Sequence, residues 1–303
     1  MAGHRTFLTY ALLFAFLIVG ASNDSLPQRQ GLNRKLLLGV SASAIGLGSL
    51  IYLNQAWYAD YRGDDFHFFN DNAEWLQVDK VGHAFSTYQT GRLMMEAFDW
   101  AGYSKKQKLF VGGAMGLYYM TLVECMDGFS EGWGFSWGDE LANVMGSALA
   151  ISQEAAWGQQ RVQLKFFYSN SGLAQYNAAL LGNNAYTRPL KDYNGQSYWL
   201  TVTPATFFNG KTFFPKWLGI SFGYGAYGMI GANQNPAMVD ANGDPITYER
   251  YRRYYFSFDL DLKQIKVRSK FLGALFSVVN VLKFPCPTLE YSQGSFKLHT
   301  FYP

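Results

Sequence analysis

Cysteine is nearly missing from this chain. Its 303 residues carry two, Cys125 and Cys286, the second held between Pro285 and Pro287. Two thiols so placed make no disulfide framework, and two unpaired thiols fit the pattern better than a bridge. Charge is also scarce, at 16% Asp, Glu, Lys and Arg against ~25% in soluble domains. The net charge is only +3, and there is no Lys/Arg-rich run, zinc-ligand pattern or glycine-rich phosphate loop. A nucleic-acid partner is therefore excluded, and no cofactor or metal is called for. No internal repeat or low-complexity tract appears.

What the chain has in plenty is aromatic. Phe, Trp and Tyr make up 18% of it, with 25 Phe and 21 Tyr. Thin charge and many aromatics suit a protein that meets a membrane. The N-terminus reads as an export signal over residues 1–22. Met1–Arg5 is a short basic segment, Phe7–Gly20 is apolar, and Val19-Gly20-Ala21 supplies small residues for cleavage near Ala21 or Ser22. A retained membrane anchor is the alternative. No Cys follows the apolar segment, which excludes a lipid-modified N-terminus at that position.

Residues 23–35 form a polar connector, and 36–53 an apolar run about long enough to cross a bilayer. This run carries the Gly, Ser and Ala that allow close helix packing. A spanning helix and a buried core helix both fit it. Tyr52, Trp57, Tyr58 and Tyr61 follow, as in an interfacial aromatic belt. Further helices are expected from Asp79 to Trp100, from Lys105 to Asp127, and from an N-cap at Ser136 to Trp157. Asp139 is the expected capping-box partner of Ser136. The region 36–157 is thus a bundle of about four helices.

Beyond Arg161 the periodicity changes to two. Val162–Phe166, Tyr198–Thr203, Leu218–Tyr224 and Tyr254–Leu262 alternate. In the last of these, Tyr254, Phe256, Phe258, Leu260 and Leu262 share a face against Ser257, Asp259 and Asp261. Turn signals stand at Asn194-Gly195, Asn209-Gly210 and Asn242-Gly243. A short amphipathic helix is expected at 271–282, then a strand pair near 289–291 and 296–298. The chain is α+β, its helical bundle followed by an antiparallel β region over 161–303. Five or six strands are too few for a bacterial outer-membrane barrel, so a small sheet or partial barrel packed on the bundle is expected.

Polar groups planted in apolar helices mark the candidate site. Asp79 and His83, four apart, share a helix face, and Lys80 stands beside them. A carboxylate that orients a histidine serves acid–base chemistry, and it serves equally as a structural pair. Glu124, Asp139 and Asn143 add a second group. Burial without a partner costs about 1–3 kcal/mol per polar group, so Asp79, His83, Asp139 and Asn143 are expected to converge. Gly82 and Gly146 would allow close helix approach, and Tyr88 is either a pocket wall or plain core. Glu124 and Asp127, with His83, make only a loose metal pattern. No Ser-His-Asp order is persuasive, since Ser86, three residues after His83 on the same helix, is too local for a nucleophile.

The run Phe66-His67-Phe68-Phe69-Asn70-Asp71-Asn72-Ala73-Glu74-Trp75-Leu76-Gln77-Val78-Asp79-Lys80-Val81-Gly82-His83 resembles the YfiM-like predicted periplasmic proteins of unknown function. Its pairing with Ser136, Asp139, Asn143 and Gly146 is also similar to VanZ-like membrane proteins. The segments Leu190–Leu200 and Pro215–Leu218 with Gly223-Tyr224-Gly225 look like the long form of the first family, found in Gram-negative envelopes. The resemblance implies an envelope address on the periplasmic side and names no activity. It departs in one respect, since the short members are lipoproteins and this chain lacks their lipid-accepting Cys. Two functions follow. One is a non-catalytic envelope protein whose aromatic β face binds a membrane lipid, envelope protein or glycan. The other is a hydrolase or transferase acting on a lipid-linked substrate. In the latter His83 is the acid or base, Asp79 its orienter, Lys80 a charge clamp, and Glu124 or Asp139 the second carboxylate. Oligomeric state is not legible.

Overall fold

The structure is a computed structural model and describes residues 33–58, 61, 63, 65–208, 213–239 and 245–302. The signal segment, most of the connector, and the turns at Asn209-Gly210 and Asn242-Gly243 lie outside the described residues. The chain divides into a helical unit (Met1–Asn70, Ser86–Gln160, Leu262–Asn280) and a β unit (Asp71–Phe85, Arg161–Asp261, Val281–Pro303). The α+β class stands, with helices in the first half and an antiparallel sheet after them.

In the helical unit, α1 (Arg34–Leu53) is started by Asn33, whose side chain accepts from the amides of Lys35 and Leu36. Leu38 is buried, whereas Leu36, Val40, Leu47 and Ile51 are exposed. Helix α2 (Val78–Trp100) contributes Met94, Ala97 and Phe98 to a core shared with Leu38 and Ala101. The helix expected from Lys105 onward is interrupted. Ser104 and Gln107 form a capping box over one turn, Lys108–Gly112 is a wide turn, and α3 runs Met115–Gly128. Close backbone packing surrounds the interruption. A Cβ on Gly91 would fall 2.4 Å from the Gly113 carbonyl, and one on Gly116 would fall 2.3 Å from that of Thr87. Helix α4 (Trp137–Trp157) begins at Ser136, whose hydroxyl accepts the Asp139 amide at 3.1 Å, and stops at left-handed Gly158. Helix α5 (Lys270–Val279) is the expected short amphipathic helix.

The β unit is built on a six-stranded antiparallel sheet. Its strands are β1 (Val162–Tyr168), β2 (Gln196–Val202), β3 (Leu218–Tyr227), β6 (Tyr251–Leu260), β7 (Cys286–Ser292) and β8 (Ser295–Tyr302), in that spatial order. The two-residue strands β4 (Met238–Val239) and β5 (Pro245–Ile246) pair separately. Register sets whole rows of side chains together. One row holds Lys165, Trp199, Gly223, Tyr255 and Glu290, and the next Gln163, Thr201, Ser221, Ser257 and Thr288. Most of these polar side chains are buried, whereas the alternate residues Leu200, Phe222, Phe256, Phe258 and Leu289 are exposed.

The sheet curls around its polar face. Trp199 on β2 and Tyr302 on β8 have ring centroids 6.3 Å apart, where a flat sheet would separate those strands by ~19 Å. Lys165 on β1 likewise meets Asp259 on β6 at 2.9 Å. The sheet stays open. On the outer edge of β1, Phe166 donates its amide to the Val281 carbonyl, and the Lys283 amide donates to the Phe166 carbonyl.

Candidate functional site

Asp79, Lys80 and His83 belong to the β unit, while Glu124, Asp139 and Asn143 belong to the helical unit. The first group stands where the chain enters α2 by an unusual route. Trp75, Leu76 and Gln77 are consecutive non-glycine residues with φ of 47°, 49° and 63°, a left-handed turn that costs of order 1 kcal/mol or more per residue. Surrounding contacts hold it in place. The Trp75 amide donates to Ala232 at 2.9 Å, the Tyr224 hydroxyl donates to the Leu76 carbonyl, and Arg252 donates to the Gln77 side chain at 2.6 Å. Beneath it, Trp75 and Val78 pack with Leu173, Leu181, Tyr198 and Met229.

Asp79 thus lies in the first turn of α2, where the positive end of the helix dipole favours an anion. Its carboxylate accepts from the Tyr193 hydroxyl and lies 3.9 Å from His83 Nε2. Lys80 points elsewhere and pairs with Asp71 at 2.7 Å. Gly82 leaves room for the Tyr198 ring, since a Cβ there would lie 2.7 Å from the Tyr198 hydroxyl. That hydroxyl donates to Gln196 Oε1 at 2.9 Å. Burial, and then the nearby Asp79 carboxylate, push its pKa far up and keep it protonated. Burial and the Asp71 and Asp79 carboxylates also raise the Glu74 carboxyl, against the opposing pull of Lys80 and Asn233.

In the helical unit Glu124 is buried and accepts the Ser136 amide at 3.0 Å, tying the end of α3 to the start of α4. The Asp139 amide joins the Ser136 cap. Asn143 is buried and donates to Glu140 Oε2 at 3.2 Å, while Glu140 Oε1 accepts from Thr121 at 2.8 Å. Tyr88 is fully buried. His67 sits in a loop whose backbone pairs with Gly128 and Phe135, amid Phe66, Phe68, Phe129, Phe135 and Trp137. His299 meets Glu290 at 2.9 Å. Both cysteines are free thiols.

Sequence reasoning missed Tyr193 and Tyr198 as partners of Asp79 and Gly82. Tyr193 stood in the polar cluster Lys191–Gln196 and Tyr198 in the alternating run after it, and tertiary contacts alone connect them to α2. It also missed a network within the helical unit. Arg92 donates to Gln89 at 2.8 Å, Glu96 at 3.0 Å and Ser277 at 2.8 Å, and Lys263 reaches Glu96 at 2.9 Å. Burial works against ionisation of Glu96, but Arg92, Lys263 and the Ser277 hydroxyl prevail and hold its carboxyl below the usual range. A third omission is the ion cluster inside the sheet. There Lys165 pairs with Asp259, and Lys283 lies over the Trp199 ring at 4.8 Å.

These features define an α+β protein with braced polar groups on its helices and a curled sheet that is polar inside and aromatic outside. Residues 65–155 match the model of a family described as predicted periplasmic lipoproteins (DUF2279). Over that segment the chain is similar to this family of unknown function, and the likeness read from Phe66–His83 is shown. The likeness to VanZ-like proteins is not shown. The family's description supports a periplasmic, cell-envelope address. Comparison with curated proteins and with solved structures yields no match.

Proposed function

We propose that the protein is a non-catalytic, membrane-associated envelope protein that binds a partner through its aromatic β face. The polar groups of its helices serve as internal braces. The carrying observation is the partner set of the candidate residues. Asp79 accepts from Tyr193, Lys80 pairs with Asp71, Glu124 holds the Ser136 amide and Asn143 meets Glu140. The first three contacts tie two segments of one unit, and Asn143 acts within α4 through Glu140, which accepts from Thr121 on α3; this is what a brace does and what removes the burial cost of a polar group. Membrane association is supported by α1, on which Leu36, Val40, Leu47 and Ile51 are bare and whose helix, extended to Tyr58, is long and apolar enough to cross a bilayer.

The test has two arms. Cell fractionation should place the native protein in envelope membranes, released only by detergent; recovery from cytosol or from soluble periplasm overturns the address. Incubation of the purified protein with envelope lipid extract should give no product. A product that His83→Ala abolishes without loss of folding would establish catalysis instead.

A further inference from the structure

Resting on the membrane-associated reading, we infer that the outer face of the six-stranded sheet is a lipid-contact surface, seated among phospholipid acyl chains without crossing the bilayer. A water-soluble sheet buries its apolar face and wets its polar one. This sheet does the reverse. Lys165, Thr201, Ser221, Ser257, Asp259 and Glu290 are enclosed by the curl, and the ionic groups among them have partners. The register then gathers the apolar residues into continuous rows on the outside. Leu164, Leu200, Phe222, Phe256, Leu289 and Leu298 form one, and Val202, Ile220 and Phe258 part of the next. Phe222 is 54% and Leu298 77% exposed.

The chemistry of the face selects the occupant. A protein interface of this breadth carries about one hydrogen bond per 100–200 Å², which needs donors and acceptors scattered across it. Here the nine positions named in the two rows carry no polar side chain. Polar groups begin at one margin, where Tyr224, Tyr254 and Tyr291 stand side by side in register and Arg252 follows just beyond. An apolar field edged by tyrosines and then a cation matches the gradient from acyl chains to headgroups. The Tyr224 end of this margin is covered from within the unit by the turn at Leu76, so the open field is the part from β3 to β8. The sheet's open edge settles the depth. Unpaired strand amides and carbonyls on β8 cannot enter hydrocarbon, so the sheet lies in one leaflet with its edges among headgroups.

Site-directed spin labelling of the full chain tests this in mixed phosphatidylethanolamine and phosphatidylglycerol vesicles. In a background with Cys125→Ser and Cys286→Ser, labels are placed by Phe222→Cys, Phe256→Cys and Leu298→Cys. Phe213→Cys, at a residue 96% exposed, serves as the aqueous reference. All four side chains are exposed, so labelling leaves the packing intact. The three face positions should collide several-fold more with oxygen than with a water-soluble nickel chelate, and the reference position should show the opposite preference. Preference for the chelate on the face overturns the inference. Exclusion of both probes shows that a protein or a second copy covers the face, which overturns lipid contact and leaves the envelope reading standing. A chain that does not float with the vesicles overturns both.

Discussion

The helical unit and the β unit answer the same composition differently. In the helices, apolar residues face outward as stripes. Tyr118 and Leu122 on α3, and Leu141 and Met145 on α4, are exposed at four-residue spacing. Their inner surfaces rely on glycine packing and on isolated braces such as Arg92 with Ser277 and Glu124 with Ser136. In the sheet, period-two alternation separates the two characters cleanly, and curling gathers the polar groups into one enclosed ion and hydroxyl cluster. Polarity can thus be internalised piecemeal by helices or wholesale by a curled sheet. The difference shows in what one substitution removes.

The largest effect is expected inside the sheet. Lys165→Met strands Asp259 without the nearest cation of its pair, and breaking a buried pair costs about 3–5 kcal/mol. Urea denaturation in detergent should show the midpoint falling by that equivalent, and an unchanged midpoint would mean that the cluster is not cooperative. Gly116→Ala in the helical unit comes next. Its new Cβ meets Thr87 backbone, which cannot swing away, and overpacking costs about 1–3 kcal/mol. Gly82→Ala meets only the Tyr198 side chain and should cost less in the same assay. Ser136→Ala removes the hydroxyl that caps α4, for a loss of about 1 kcal/mol measurable in the melting curve.

The Glu96 brace gives a smaller, pH-dependent signal. Its folded carboxyl titrates below the usual range, so its contribution is present above the ordinary glutamate pKa of about 4.3 and is lost as pH falls through that value and below. Melting temperature should decline on acidification, and Arg92→Met should flatten that slope. The smallest effect belongs to the outer face. Phe222→Ser removes a side chain that packs against little protein, so stability in detergent should stay within about 0.5 kcal/mol. A loss of core size would place Phe222 in the interior and collapse the contrast between the two faces.

Much of the fold was legible in the chain. The period-two run Tyr254–Leu262 anticipated β6, and Ser136 anticipated the start of α4, because alternation and caps are local rules. The break at Gly113 in the helix expected from Lys105 was not legible; Gly91 packs against it from a segment more than twenty positions away, a proximity that has no local mark. The candidate residues Asp79 and His83 were singled out by their type and spacing. Tyr193, 114 positions from Asp79 in sequence, had no local mark linking it to the site.

The sequence by itself determined the α+β order, the low charge, the aromatic richness and the two-sided character of each strand, all set by neighbouring residues. Which side of the sheet turns inward was decided only by tertiary structure. Alternation separates polar from apolar side chains but is silent on the direction of curl. That direction came from contacts between strands far apart in the sheet, Lys165 with Asp259 and Trp199 with Tyr302, where enclosing paired charges left the aromatic face outside.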